Sequence, residues 1–404
     1  MKKILISAVL ILSAGLAAQQ KTDKRTSYDF GSGFDFDFKD GYHFNIGGAV
    51  QPVYTYDKIG DAKATNQLRV NHAFFTLSGE AKKEKLGFML QTDFSLTAPL
   101  LDAYVYYEPS EHFRTTGGQM KSPLNNREMT INEDRLSFTD RSLLSTTLSR
   151  TGREFGVFAE ARIGKGNFKL VPQVAVTSGD GRNSFGANGR DADAGGIKYG
   201  GRLDLYPMGF FKDQKNLTVE DLYHEESLKM VVGGAFSYNR GASDAVGEGH
   251  GTFALYDAGK SVRYPDYRKL YIDLLMKYAG FSVLGEYGKT TARNLDGSFT
   301  DANATVMLQP QQISSYLMLG QSYNMQLGYV SKKGFGVDAR YTIIEPEFGD
   351  YTGNILQKTN GYSFGLTKYF VGNALKLHLG YSNYDLGEAL GHENRADLML
   401  QVIF

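Results

Sequence analysis

Between residues 121 and 150 the chain reads "KSPLNNREMTINEDRLSFTDRSLLSTTLSR", where Lys121 is followed by Arg127, Arg135, Arg141 and Arg150. A guanidinium group presents paired N–H donors in one plane and stays charged at every working pH, which suits it to reversible contact with an oxyanion. The same stretch carries Glu128, Glu133, Asp134 and Asp140, four acids against four arginines. Spacing alone therefore leaves two roles open for each cation: a contact with a passing anion, or an internal salt bridge. Other chemistry has little to work with. The seven histidines, His43, His72, His112, His224, His250, His378 and His392, occur outside any HExxH or GxSxG context, and the chain has 0 Cys. Asp35 and Asp37 in "FDFDFKDG" share one side of a short strand without a turn-borne ligand set, and "SGDGRNSFGANGRDADAGG" lacks a repeated nine-residue spacing, so it reads as a surface loop. No metal, cofactor or catalytic residue is expected, and the chain is not expected to be an enzyme.

The elements that would position these cations begin after an export signal. "MKKILISAVLILSAGLAA" places Lys2 and Lys3 before an apolar run and small residues, a signal peptide over 1–18 with cleavage near Ala17 or Ala18. No later run of about 18 residues is continuously apolar, so helices cannot carry the chain across a membrane. Removing Lys2 and Lys3 leaves 42 basic against 44 acidic side chains, a balance that argues against nucleic acid as a partner. With Gly 47, Tyr 26 and Phe 26 against Pro 9, the chain is rich in strand and turn formers.

Segments of alternating polarity recur from "FNIGGAVQPVYTY" to the terminal "NRADLMLQVIF", about sixteen in all. One runs long, through "ISSYLMLGQSYNMQLGYVSK". In the last segment Ala396, Leu398, Leu400, Val402 and Phe404 share an apolar face, while Arg395, Asp397, Met399, Gln401 and Ile403 share the other. Leu270, Ile272, Leu274, Met276 and Tyr278 likewise oppose Lys269, Asp273 and Lys277. Connections at 179–196, 206–227, 240–266 and 291–310 are long and polar, while "IGKGN" and "KYAGF" are tight. The expectation is an all-β, transmembrane antiparallel barrel over 41–404, preceded by a lead-in segment 19–40. A soluble sandwich alternates in the same way and stays open at this point. Lys368 falls in phase with Tyr362, Phe364, Leu366 and Phe370, a cation on the lipid face that belongs near the interface. On the lumen phase lie Arg69, Lys169, Lys198, Arg202, Arg340, Lys376 and Arg395, mixed with Asp93, Asp204, Asp338 and Asp397.

The stretch from "DAYVYY" through "GGQMKSPL" to "FTDRS" resembles the phosphate-selective porin O and P family, as do "FKDGYHFNIGGAVQPVYTY" and "LRVNHAFFTLSGE". Lys121 and Pro123 match that family's Gly-Gln-x-Lys-x-Pro turn, and Arg141 its Glu-Arg-Ser motif, with Asp140 standing for the glutamate. The resemblance implies a sixteen-stranded, homotrimeric outer-membrane porin whose third loop, here 122–150, folds into the lumen. It implies passive diffusion of small anions such as phosphate along Lys121, Arg127, Arg135, Arg141, Arg150, Arg69, Arg202 and Arg340. It also implies outer-membrane lipid as surroundings and the barrel assembly machinery as a partner that reads Phe404. A general non-selective porin is the nearest alternative, and a barrel enzyme or a secreted β-rich glycan-binding protein the more distant ones.

Overall fold

The computed structural model describes residues 25–182, 196–249, 252–387 and 390–404; the expected signal peptide, residues 19–24 of the lead-in, and His250 lie outside the described residues. Sixteen strands form one barrel: β1 (Tyr42–Ile59), β2 (Thr65–Ala81), β3 (Leu86–Asp93), β4 (Leu100–Ser110), β5 (Phe113–Lys121), β6 (Arg153–Ala161), β7 (Lys169–Thr177) and β8 (Lys198–Tyr206) make the first half. The second half is β9 (Lys229–Asn239), β10 (Asp266–Tyr278), β11 (Phe281–Arg293), β12 (Gly320–Val330), β13 (Phe335–Pro346), β14 (Thr359–Val371), β15 (Leu375–Asp385) and β16 (His392–Ile403). Each strand pairs antiparallel with the next, and β16 returns to β1 from Glu393↔Ile59 to Ile403↔Ala49, so no barrel edge is left unpaired. A hairpin of Arg25–Asp29 and Gly33–Asp37 continues the sheet beside the start of β1, where Phe34 pairs with Ile46. Phe404 fills the junction, its N–H and C=O both bonded to Gly48.

Burial runs opposite to that of a water-soluble sheet. On β10, Ile272 is 50% exposed on the outer face while Lys269 and Asp273 on the inner face are each 2% exposed. On β16, Leu398, Leu400 and Phe404 point outward and Asp397, Met399 and Gln401 are buried inside. Such a surface is stable only against lipid, because apolar area left in water costs about 25 cal/mol per Å². Closure and this inversion exclude the sandwich. Lys368 is half-buried at the turn end of β14, where its ammonium reaches the carbonyl of Lys333 at 2.6 Å and sits 3.9 Å from the Phe335 ring centre. The amine is thus carried to the tight-turn end of the barrel, where a carbonyl satisfies it.

One end of the barrel is closed by tight connections. Ala279 (φ 51°) and Gly280 (φ 92°) turn β10 into β11 in two residues, a geometry that needs two positive φ values. A Cβ on Gly280 would stand 2.4 Å from the Val330 carbonyl. Long connections gather at the other end. There "ISSYLML" is not strand: Gln309 and Gln312 form a capping box, Pro310 starts a 3-10 turn over Pro310–Ser315, and Ile313, Leu317 and Leu319 pack into a cluster with Tyr267 and Leu255. The connection 207–228 breaks the pattern, since it joins β8 to β9 at the tight-turn end yet is long and folds up into the lumen.

Candidate pore and constriction site

The third long-end loop, 122–152, enters the barrel after β5 and crosses it. Within β5, Gly118 (φ 128°) lies close against β4: a Cβ there would meet the Ala103 carbonyl at 2.3 Å. The loop carries two short helices, α1 (Arg127–Thr130) and α2 (Leu143–Leu148), the latter capped by the Ser142 hydroxyl, which accepts the Ser145 N–H at 3.3 Å. Leu144 and Leu148 of α2 seat against Ala235, Tyr271 and Ile344 of the wall. At the far side Lys376 donates to the Leu136 carbonyl (3.0 Å), Gln401 to Asp134 O (2.9 Å) and Asn71 to Thr139 O (3.2 Å). The loop is thus moored to walls on both sides of the lumen.

Its charges are mostly spent on one another and on the wall. Glu133 gathers Lys121 (3.1 Å), Arg141 (3.0 Å) and Arg153 (2.9 Å). Burial alone would raise the Glu133 carboxyl, but Arg153, Lys121 and Arg141 hold it well below the usual carboxylate range. Arg127 and Arg202 interleave with Asp204 and Asp273 in a buried quartet, with Arg127 to Asp204 at 2.6 Å and Arg202 to Asp273 at 2.5 Å. Glu128 accepts from Ser142 N (2.8 Å), Ser142 Oγ (2.6 Å), Ser145 Oγ (2.5 Å) and Gln326 (2.6 Å), with Arg340 at 3.8 Å. Here too burial opposes ionisation, and Arg340, Arg141 and the serine hydroxyls outweigh it, so the carboxyl titrates below its ordinary range. Asp140 binds Arg395 at 2.6 Å, and the Arg340 guanidinium also lies over the Phe138 ring at 4.4 Å.

Five of the anticipated path residues, Lys121, Arg127, Arg141, Arg202 and Arg340, are therefore brought together by the loop, each beside a carboxylate. The other three stand apart. Arg135 donates to the Asn216 carbonyl (2.9 Å), and its Nε lies 3.9 Å from Asp134 Oδ1, an ion pair too long to be a hydrogen bond. Arg69 bonds Asn71 (2.5 Å) and Arg150 is exposed; neither makes an ion pair among the described residues. Lys198, read from sequence as a wall cation, is buried between Glu154 and Glu248, the second at 2.7 Å. Sequence reasoning placed Asp273 on the inward phase without its partners, and it missed Arg153, Glu154 and Glu248. Glu154 follows from strand phase once the strand start is known, since it shares the inward phase of Phe158; Arg153 is its neighbour on the opposite phase, and Glu248 arrives from a loop, so neither of these had a signal.

Sequence reasoning also missed that the connection 207–228 is part of the pore. Asp213 accepts from Lys277 Nζ (2.6 Å) and from Thr218 N and Oγ1; Asp221 accepts from Gly280 N (2.8 Å); Tyr369 donates to Glu220 (3.0 Å). Phe211 and Val219 pack with Ile131 and Leu136 of the loop and with Val231, Leu275 and Leu284 of the wall. The two inward segments enclose a vestibule of about 1040 Å³ at the tight-turn end, lined by Lys121, Arg127, Arg135, Arg202, Tyr206 and Phe210 among others. Strand parity was the available signal, since the eighth connection must return to the same end as the chain termini.

The fold has solved counterparts. Over 92% of this chain and 100% of the other it is similar to the outer membrane channel DcaP of Acinetobacter baumannii, at TM-score 0.54 and 14% identity. OprB of Pseudomonas putida gives TM-score 0.54 at 10% identity over 89% of this chain and 94% of that one. OmpT, an outer membrane protein of Vibrio cholerae, in its trimer form gives 0.51 at 8% identity over 89% and 99%. At these identities the likeness is one of fold: a porin-type barrel. No family model matches the sequence, and no curated protein matches it.

Proposed function

We propose that this protein is an outer-membrane porin passing small solutes by passive diffusion, with a modest preference for anions such as phosphate. The observation that carries the reading is a charged loop moored across the lumen of a barrel whose outer face suits lipid. Arg135 and Lys121 at the vestibule, with Arg69 and Arg150, are the cations best placed to meet a solute. Arg127, Arg141, Arg202 and Arg340 act through the shape and field of the constriction. Binding must stay weak for a solute to leave.

A non-selective porin is the second reading, favoured by the salt bridges that neutralise most loop arginines. Single-channel reversal potential in asymmetric KCl separates the two: anion preference in the wild type, reduced in Arg135→Ala and blocked in part by added phosphate, supports the first. A zero or cation-directed potential leaves the general porin.

No hydrolytic activity is proposed. His72 bonds Asp93 at 2.6 Å, but Ser95 sits on the carboxylate and not on the ring; His378 meets Thr367 at 2.8 Å with its Nε2 unpartnered. Turnover of ester, peptide or phospholipid lost in Thr367→Ala would overturn this. No cofactor is invoked, and we extend the proposal to a homotrimer and to recognition of Phe404 by the barrel assembly machinery, with export through the signal peptide 1–18.

A further inference from the structure

The outer rim of β9 to β11 carries a group of cations that the channel does not use. At the long-loop end Arg268 of β10 and Lys289 and Arg293 of β11 all point away from the lumen, and Arg240 follows the last residue of β9. Register fixes their spacing. Arg268 lies opposite Thr291, so Lys289 and Arg293 are its two diagonal neighbours, at roughly 7 to 8 Å. Lys289, Arg293 and Arg240 are exposed, and none of the four makes an ion pair among the described residues. Arg268 rests its guanidinium 5.2 Å from the Tyr238 ring centre, with its Nε buried and unpartnered.

Of the acids nearby, two are engaged elsewhere, while Glu347 lies within electrostatic range of Lys289 without forming an ion pair among the described residues. Asp266 accepts the Tyr238 hydroxyl and the Gly241 N–H, and Glu345 accepts Gln321 Nε2 at 2.8 Å. Directly below the cations, Tyr287 and Tyr323 pair at 5.0 Å, placing an aromatic belt between them and the apolar outer face. On the far side of the barrel the corresponding outward positions of β14 to β16 are Asn360, Asn383 and Asn394, which bond one another or nearby side chains.

We infer that this rim is a binding surface for the phosphorylated glycolipid of the outer leaflet, its phosphates held by Arg268, Lys289 and Arg293 while its acyl chains lie along the outward Leu270, Ile272 and Tyr287. The inference rests on the outer-membrane placement proposed above. Charge selects the occupant: a row of unpaired cations just beyond an aromatic belt meets lipid phosphate, and arginine binds it by paired donors.

The test is native mass spectrometry of the purified full-length barrel with lipid A bearing two phosphates, compared with enzymatically dephosphorylated lipid A. Each cation near an anionic lipid surface contributes about fivefold in affinity, so Arg268→Ala/Lys289→Ala/Arg293→Ala is expected to weaken retention roughly a hundredfold. Lys289→Ala alone, an exposed change that leaves folding untouched, should cost about fivefold, and Asn360→Ala/Asn383→Ala/Asn394→Ala nothing. Equal retention of dephosphorylated lipid by the wild type, or no loss in both the single and triple variants, overturns the inference. Conductance of the same preparations tests the porin reading separately, because none of these side chains faces the lumen.

Discussion

The lumen is narrowed by two segments that arrive from opposite ends and hold their places differently. The loop 122–152 is fixed by charge and hydrogen bonds, with Glu128 and Glu133 each collecting several donors. The connection 207–228 is fixed by apolar packing of Phe211 and Val219 plus a few anchors, Asp213 to Lys277 and Asp221 to Gly280. They touch where Arg135 meets the Asn216 carbonyl and where Ile131 and Leu136 pack on Phe211 and Val219. The difference separates two tasks: a loop built from paired charges shapes the field along the route, while the connection 207–228, seated on a few apolar side chains, takes up volume. Charge in the narrow part carries weight because a unit charge about 4 Å from an ion is worth roughly 1 kcal/mol in bulk water and several times that in a less polar surround.

The comparison can be broken most directly by removing volume. Replacing 209–226 with a short turn is expected to raise single-channel conductance several-fold with little change in ion preference. An unchanged conductance would mean that the connection does not limit flow.

Next in size are the anchors. Glu128→Ala strands Arg340 and several hydroxyl and amide donors, and a buried partner removed in this way costs about 3 to 5 kcal/mol. It should release the loop to protease while 207–228 stays protected. Asp213→Ala, which leaves Lys277 buried and unpaired, should do the reverse; release of both segments by either change would show that they fold as one unit.

Acid should act on the loop first. The folded-state carboxyls of Glu128 and Glu133 lie below their ordinary range, so their contribution is fully present above about pH 4.3 and is lost as pH falls through the lowered values. Open-channel current is expected to be steady from neutral pH down to that point and to become noisy only below it. Noise beginning near pH 6 would assign the control to other groups.

The smallest effects belong to single cations. Arg135→Ala should shift the reversal potential measurably, and Arg150→Ala, exposed and away from the vestibule, much less. A larger shift from Arg150→Ala would relocate the route.

Phe404 gives a separate check at the barrel seam, where deletion removes two hydrogen bonds to Gly48 and the ring that covers it. Membrane-assembled protein should fall sharply, as read by heat-modifiable mobility.

Sequence by itself determined the barrel. Period-two alternation is local, so strand positions and the outward Leu398, Leu400 and Phe404 were legible before any contact was known, whereas the inward third loop came from the resemblance of its flanking motifs to a porin family and not from periodicity. Even the eighth connection could have been assigned to the tight-turn end by parity. Only the tertiary structure decided which charges are free. Arg127 meets Asp204 and Asp273, and Lys198 meets Glu154 and Glu248, across separations of 44 to 146 residues, and no local pattern encodes a partner so far away. The same holds for the path of 207–228, whose polar sequence reads as an exposed loop until closure of the barrel places Lys277, Gly280 and Tyr369 where its acids can reach them. Strand phase fixes which way a side chain points, but a salt bridge depends on what faces it across the lumen, and that is set only when all sixteen strands close.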